Sequence, residues 1–99
     1  MAVIISIDAG TTGVRTFALN ENGVQVGLAY KEFTQHYPFP GWVEHDPTEI
    51  WVAVQDTIKE LAKTLNEPIA CIGIANQRET AVAWSRASGL PLAPAIVWQ

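Results

Sequence analysis

Residues 2 to 8, Ala-Val-Ile-Ile-Ser-Ile-Asp, are mostly β-branched and almost continuously apolar, the pattern of a central strand covered on both faces and ended by a carboxylate at Asp8. A Gly/Thr turn over Gly10 to Gly13 leads into a second run, Val14 to Leu19, and Asn20-Glu21-Asn22-Gly23 predicts a tight reversal into a third. There Val24, Val26, Leu28 and Tyr30 alternate with Gln25, Gly27, Ala29 and Lys31, as in a sheet with one face less deeply buried. These three runs are expected to form an antiparallel meander. The stretch His36 to Trp42, with Pro38, Pro40 and Gly41, reads as a connecting loop.

Asp46-Pro47-Thr48-Glu49 predicts a helix start, with Asp46 as N-cap, Pro47 at the first helical position and Glu49 placed to complete a capping box. Ile50, Trp51, Val54, Ile58, Leu61, Ala62 and Leu65 then recur at helical spacing until Asn66 and Pro68 stop the run. Ile69 to Ile74 is a second apolar strand, expected to be buried and parallel to the first because a helix separates them. Thr80 to Trp84 and Ala95 to Trp98 are expected to pair as a hairpin around Ser85 to Leu90. The predicted order is β-β-β-α-β plus a hairpin, an α/β arrangement. One helix is too little to cover both faces of such a sheet, and the chain ends inside the apolar run Val97-Trp98-Gln99; both features suggest an incomplete, N-terminal piece of a longer protein, prone to self-association.

Composition narrows the function classes. The 99 residues are 48% hydrophobic and 16% charged, a globular balance, with a net charge of -4 and no basic run to follow a phosphate backbone, so nucleic acid is not an expected partner. The single cysteine, Cys71, lies within an apolar run, which suits a reducing cytoplasm. Met1 to Ile5 carry no basic flank and Asp8 interrupts the apolar stretch, so neither export nor membrane insertion is expected. His36 and His45 lack zinc-type spacing and read as surface or packing residues. Trp42 and Trp51 are assigned to packing.

Two segments can carry chemistry. Asp8-Ala-Gly-Thr-Thr-Gly-Val-Arg15 offers glycines for close backbone approach, hydroxyl donors, a guanidinium and a carboxylate able to hold Mg²⁺ through water, yet it lacks the Gly-Lys-Ser/Thr ending of a Walker A loop. A plain hairpin turn explains the same glycines and threonines equally well. Gln77-Arg78-Glu79 follows the other central strand and should emerge beside Asp8, where ligands bind in open α/β sheets. Adjacent Arg and Glu can bracket a polyol, donating to and accepting from its hydroxyls, although such a pair is also commonly a solvated salt bridge. Trp98 presents an apolar face to a C–H-rich substrate, or simply belongs to the core.

Asp8-Ala-Gly-Thr-Thr12, Gly41-Trp-Val-Glu-His-Asp-Pro47 with Glu49-Ile-Trp51, Ile72 to Thr80 and Ala95 to Gln99 together resemble, in order and spacing, the N-terminal part of the glycerol kinases of the FGGY carbohydrate kinase family. The Asp-x-Gly-Thr-Thr opening points to that wider family and its actin-like ATPase relatives; Asn76-Gln-Arg-Glu-Thr80 narrows the resemblance to the glycerol kinases. The resemblance spans essentially the whole chain. It implies residues 1–99 of an actin-like, ribonuclease H-like kinase domain, with the second domain absent, and MgATP-dependent phosphorylation of glycerol by a cytoplasmic, homo-oligomeric full-length enzyme. By the same resemblance Gly10, Thr11, Thr12, Gly13 and Arg15 meet the nucleotide phosphates, Asp8 sits near magnesium through water, Arg78 and Glu79 bind glycerol hydroxyls, and Trp98 lines the glycerol pocket. The catalytic base and the adenosine pocket lie outside this stretch. Ala9 stands where the family commonly has Gln, and the hydroxyl residues common around Gly13 and Val14 are replaced, which implies altered nucleotide contacts. A kinase for another polyol or ketose, and a non-catalytic nucleotide-binding module, are the alternatives.

Overall fold

A computed structural model describes residues 2–97. The strands β1 (Val3–Ala9), β2 (Gly13–Leu19) and β3 (Gln25–Glu32) form the expected antiparallel meander. After the short strand β4 (Glu44–His45) comes helix α1 (Pro47–Ala62), and then β5 (Ile69–Ala75), which pairs parallel with β1. The resulting four-stranded sheet has the order β3-β2-β1-β5. A final strand, β6 (Ala95–Ile96), pairs antiparallel with β4.

Helix α1 starts where the sequence predicts. The Asp46 side chain accepts from the Thr48 backbone N–H at 2.9 Å, and Pro47 occupies the first turn. The capping box does not close: Glu49 instead accepts from the Thr34 N–H at 3.1 Å and contacts His36 Nε2 at 3.3 Å, which fastens the helix to the segment before it. The helix ends at Ala62 rather than Leu65, but bonds from Thr64 N to Leu61 O and Leu65 N to Ala62 O tighten the last turn and keep Leu65 against the core.

The core lies on one face of the sheet. Val3, Ile5 and Ile7 of β1, Val14 and Ala18 of β2 and Ala29 of β3 are buried together with Ala53 and Leu61 of α1. The helix contacts mainly β2 and β3. On β3 Gly27 and Ala29 lie under the helix and Lys31 pairs with Asp56 at its side; the Leu61 side chain comes so close to Gly27 that a Cβ there would meet its Cδ1 at 2.6 Å. The apolar stripe Val26, Leu28 and Tyr30 therefore points to the other, uncovered face. Thr16 and Thr57, both fully buried, bond to each other across the helix–sheet contact at 2.8 Å.

Three expectations need correction. β5 is exposed along its entire length, Cys71 included, since α1 does not extend over it. Trp42 and Trp51 are 58% and 59% exposed: Trp42 stacks edge-on to Phe39 in the loop, and Trp51 flanks the helix beside the segment carrying Val82, Trp84 and Leu90. The hairpin survives only as isolated bridges, Ala81 to Ile96 and Trp84 to Pro91, because Ala95–Ile96 takes Glu44–His45 as its strand partner. The radius of gyration, 15.3 Å, exceeds the ~13 Å of a closed domain of this size and reflects the sheet's open faces. Among the described residues, no helix is long and apolar enough to cross a membrane.

Candidate functional site

β1 and β5 run parallel, so their C-terminal ends reach the same edge of the sheet, and both candidate segments begin there. Gly10 and Thr11 form one wall of a cleft of about 490 Å³ whose other wall is Asn76, Gln77, Arg78 and Glu79. A larger hollow of about 720 Å³ lies elsewhere, between residues 35–38 and the proline-rich Pro91–Pro94; it holds neither candidate segment.

Strand register places the charged groups. Asp8 pairs with Arg15 on β2 and with Ala75 on β5, and Arg15 pairs in turn with Tyr30 on β3. Paired residues share a face, so Asp8, Arg15 and Tyr30 lie in a row across three strands on the side away from α1. The Arg15 guanidinium sits 5.5 Å from the Tyr30 ring centroid, a cation–π distance, and among the described residues Asp8 forms no salt bridge. The exposed Asp8 carboxylate is thus free to accept from water or a cation's hydration shell.

The turn between β1 and β2 is closed by a 3.0 Å bond from Gly10 N to Gly13 O. Thr12 is exposed, with its hydroxyl 3.4 Å from that of Tyr30. Gly13 is buried, and a side chain there would drive into the Tyr30 hydroxyl at 2.6 Å and the Lys31 carbonyl at 2.8 Å, so this glycine permits close strand packing. Ala9 and Val14 pair on the helix side and pack with the core, which directs these two departures from the family pattern away from the open face. Across the cleft Glu79 has φ 57°, a left-handed conformation uncommon outside glycine, which turns the chain sharply beside Arg78. Trp98 lies outside the described residues.

Gln35, which nothing in the sequence singles out, joins His45, Gln77 and Thr80 in linking the two walls from behind. The Gln35 amide donates to the Thr11 carbonyl at 2.8 Å, and its Oε1 is 2.6 Å from His45 Nε2. Gln77 Nε2 is 3.2 Å from His45 Nδ1, and the Thr80 hydroxyl donates to Gln77 Oε1 at 3.0 Å. His45 is fully buried, edge-on to Phe33 with ring centroids 4.9 Å apart, and burial holds its pKa below the ordinary histidine value of 6.5. Its packing role was legible; its two polar partners had no signal in sequence spacing.

Residues 3–99 match the FGGY family of carbohydrate kinases, N-terminal domain. The chain is 57% identical over 99 residues to a glycerol kinase of Leptospira biflexa, covering 97% of this chain and 20% of that protein. Its structure is similar to that of Plasmodium falciparum glycerol kinase with ADP, at TM-score 0.90 and 41% identity, covering 99% of this chain and 20% of that one. A ligand-bound xylulose kinase from Lactobacillus acidophilus matches at TM-score 0.92 with 28% identity, again over 99% of this chain and 20% of its own. The sheet and its covering helix thus have the mixed α/β, actin-like architecture of these kinases over a fifth of their length. The chain belongs to the FGGY family of carbohydrate kinases.

Proposed function

We propose that this chain forms the phosphate- and polyol-facing part of the cleft of a glycerol kinase, whose full-length form transfers the γ-phosphoryl group of MgATP to a terminal hydroxyl of glycerol in the cytoplasm. The observation that carries this reading is the single cleft in which Gly10 and Thr11 face Arg78 and Glu79 across the sheet edge. The 57% identity to the Leptospira biflexa glycerol kinase and the likeness to an ADP-bound glycerol kinase support it.

The donor set suits both ligands. The exposed Asp8 carboxylate can accept from magnesium-bound water; the Thr11 and Thr12 hydroxyls can donate to phosphoryl oxygens, with Gly10 and Gly13 letting the turn come close to the phosphates; Arg15 adds positive charge on the open face. MgATP, when bound, supplies the phosphoryl group, and the chain's own contribution is positioning and charge neutralisation. Arg78 donates to glycerol hydroxyl oxygens while Glu79 accepts hydroxyl protons, with Trp98 as an apolar wall. A catalytic base must come from the rest of the protein, so the 99-residue chain alone is inactive in this reading.

The test is ATP-dependent phosphorylation of glycerol by the full-length protein, wild type beside Arg78→Ala. Loss of charge-assisted hydrogen bonds worth about 1.5–3 kcal/mol predicts a fall in kcat/KM on the order of 10- to 100-fold. Activity confined to a larger sugar would overturn the substrate assignment, and nucleotide binding without any polyol phosphorylation would indicate a non-catalytic module.

A further inference from the structure

With the buried His45 ring neutral, the four side-chain bonds behind the cleft have one consistent set of donors. Gln35 Oε1 can only accept, so His45 Nε2 must carry the proton that it receives. Neutral His45 then presents an unprotonated Nδ1, which accepts from the Gln77 amide, and that amide's oxygen accepts from Thr80. The Gln35 amide, its oxygen occupied by His45, donates onward to the Thr11 carbonyl. Every bond runs in one direction, from Thr80 at the polyol-facing turn to Thr11 at the phosphate-facing turn. The ring at its centre is fully buried, and no buried side-chain nitrogen or oxygen among the described residues lacks a partner.

We infer that His45 is a positioning residue whose neutral, Nε2-protonated ring ties the Gly10–Gly13 turn to the Gln77–Glu79 turn and so fixes the two walls of the cleft relative to each other. The inference rests on the glycerol kinase reading for what each wall binds. Its two halves are chemically separable. Asn places an amide at the position of Nδ1 and Gln places one at the position of Nε2, so His45→Asn keeps a partner for Gln77 and loses the tether to Gln35, whereas His45→Gln does the reverse. Gln35→Leu cuts the Thr11 side from its other end, leaving the ring and its Gln77 bond in place but removing the acceptor of its Nε2–H.

Steady-state kinetics of the full-length protein, with thermal denaturation of each variant alongside, tests this. His45→Asn and Gln35→Leu are expected to raise the KM for ATP about tenfold, the equivalent of one buried hydrogen bond, and to leave that for glycerol within about threefold. His45→Gln is expected to raise the KM for glycerol instead. Equal effects on both KM values, no effect on either, or activity lost only in step with thermal stability would overturn the coupling and leave His45 as a packing residue. Should the wild type phosphorylate no glycerol, the functional reading fails, and MgADP affinity decides the inference: weaker binding in His45→Asn and Gln35→Leu but not in His45→Gln supports it. Absence of that order, or of MgADP binding by the wild type, overturns it.

Discussion

β1 and β5 lie side by side in the same sheet, run in the same direction, and are written in nearly the same alphabet, Val-Ile-Ile-Ser-Ile-Asp-Ala beside Ile-Ala-Cys-Ile-Gly-Ile-Ala. In β1 alternate residues are buried; in β5 all seven positions are exposed. Ile5 and Ile72 are directly paired across the ladder and face the same side, yet Ile5 is 2% exposed and Ile72 51%. The difference is α1, whose apolar stripe rests on β2 and β3 and reaches only the near side of β1. An apolar strand pattern encodes the capacity to be buried; the layer that buries it is a separate fact, supplied here to one half of the sheet.

The comparison breaks or stands on that pair. Ile5→Ala removes side-chain volume from a closed core and is expected to destabilise the 99-residue chain by about 2–5 kcal/mol in urea denaturation, whereas Ile72→Ala should cost less than about 1 kcal/mol. Equal losses would mean that β5 is covered in solution in a way this structure does not contain.

A smaller effect sharpens what the covered half consists of. The Thr57 hydroxyl donates to the Ala53 and Val54 carbonyls at 2.9 and 3.0 Å, which leaves Thr16 to donate to Thr57. Thr57→Val strands the buried Thr16 donor and should cost about 1–3 kcal/mol; Thr16→Val leaves Thr57 still bonded to the helix and should cost less. Thermal denaturation of both variants checks the order, and equal costs would refute the assignment of donors.

The same contrast explains what was legible in the sequence. The meander, the helix start at Asp46 and the meeting of the β1 and β5 ends at one sheet edge follow from local patterns and the parallel pairing rule, and all are observed, although it is Gly10 and Thr11 rather than Asp8 that line the cleft with Arg78 and Glu79. The burial of β5 and Trp51 was misread because apolar character alone does not say where the helix lies. On β3 the larger residues of the alternation were not the covered ones, since Leu61 demands glycine beneath it. Glu49 left its capping box because Thr34 and His36, distant in sequence, offered it donors. The Gln35–His45–Gln77 chain joins three segments and has no periodicity to betray it.

The least destructive probe of the two regions is a proton. His45 is buried within the covered part of the molecule, and burial is the main cause of its lowered pKa; nearby His36 pushes in the same direction, while the Gln77 hydrogen bond and Glu49 oppose it. Because the folded state resists protonation, the unfolded chain binds the proton more readily on acidification. Stability from neutral His45 is therefore fully present above the ordinary value near 6.5 and is lost as pH falls through the lowered folded pKa, with a slope of at most about 1.4 kcal/mol per pH unit for one proton. Protonation at Nδ1 also replaces the acceptor that Gln77 needs with a second donor, so Gln77 keeps a bond to the ring only by turning its amide over and sending the Thr80 hydroxyl to the Arg78 carbonyl, 3.3 Å away. Urea titrations of the wild type at pH 7.5 and 5.5 should show that loss, and His45→Gln, which cannot titrate, should show a smaller one. The three β5 isoleucines, Ile69, Ile72 and Ile74, carry no titrating group and stand outside the core, so Ile72→Ala should lose stability with pH in parallel with the wild type. A pH response unchanged in His45→Gln would assign it to the carboxylates instead.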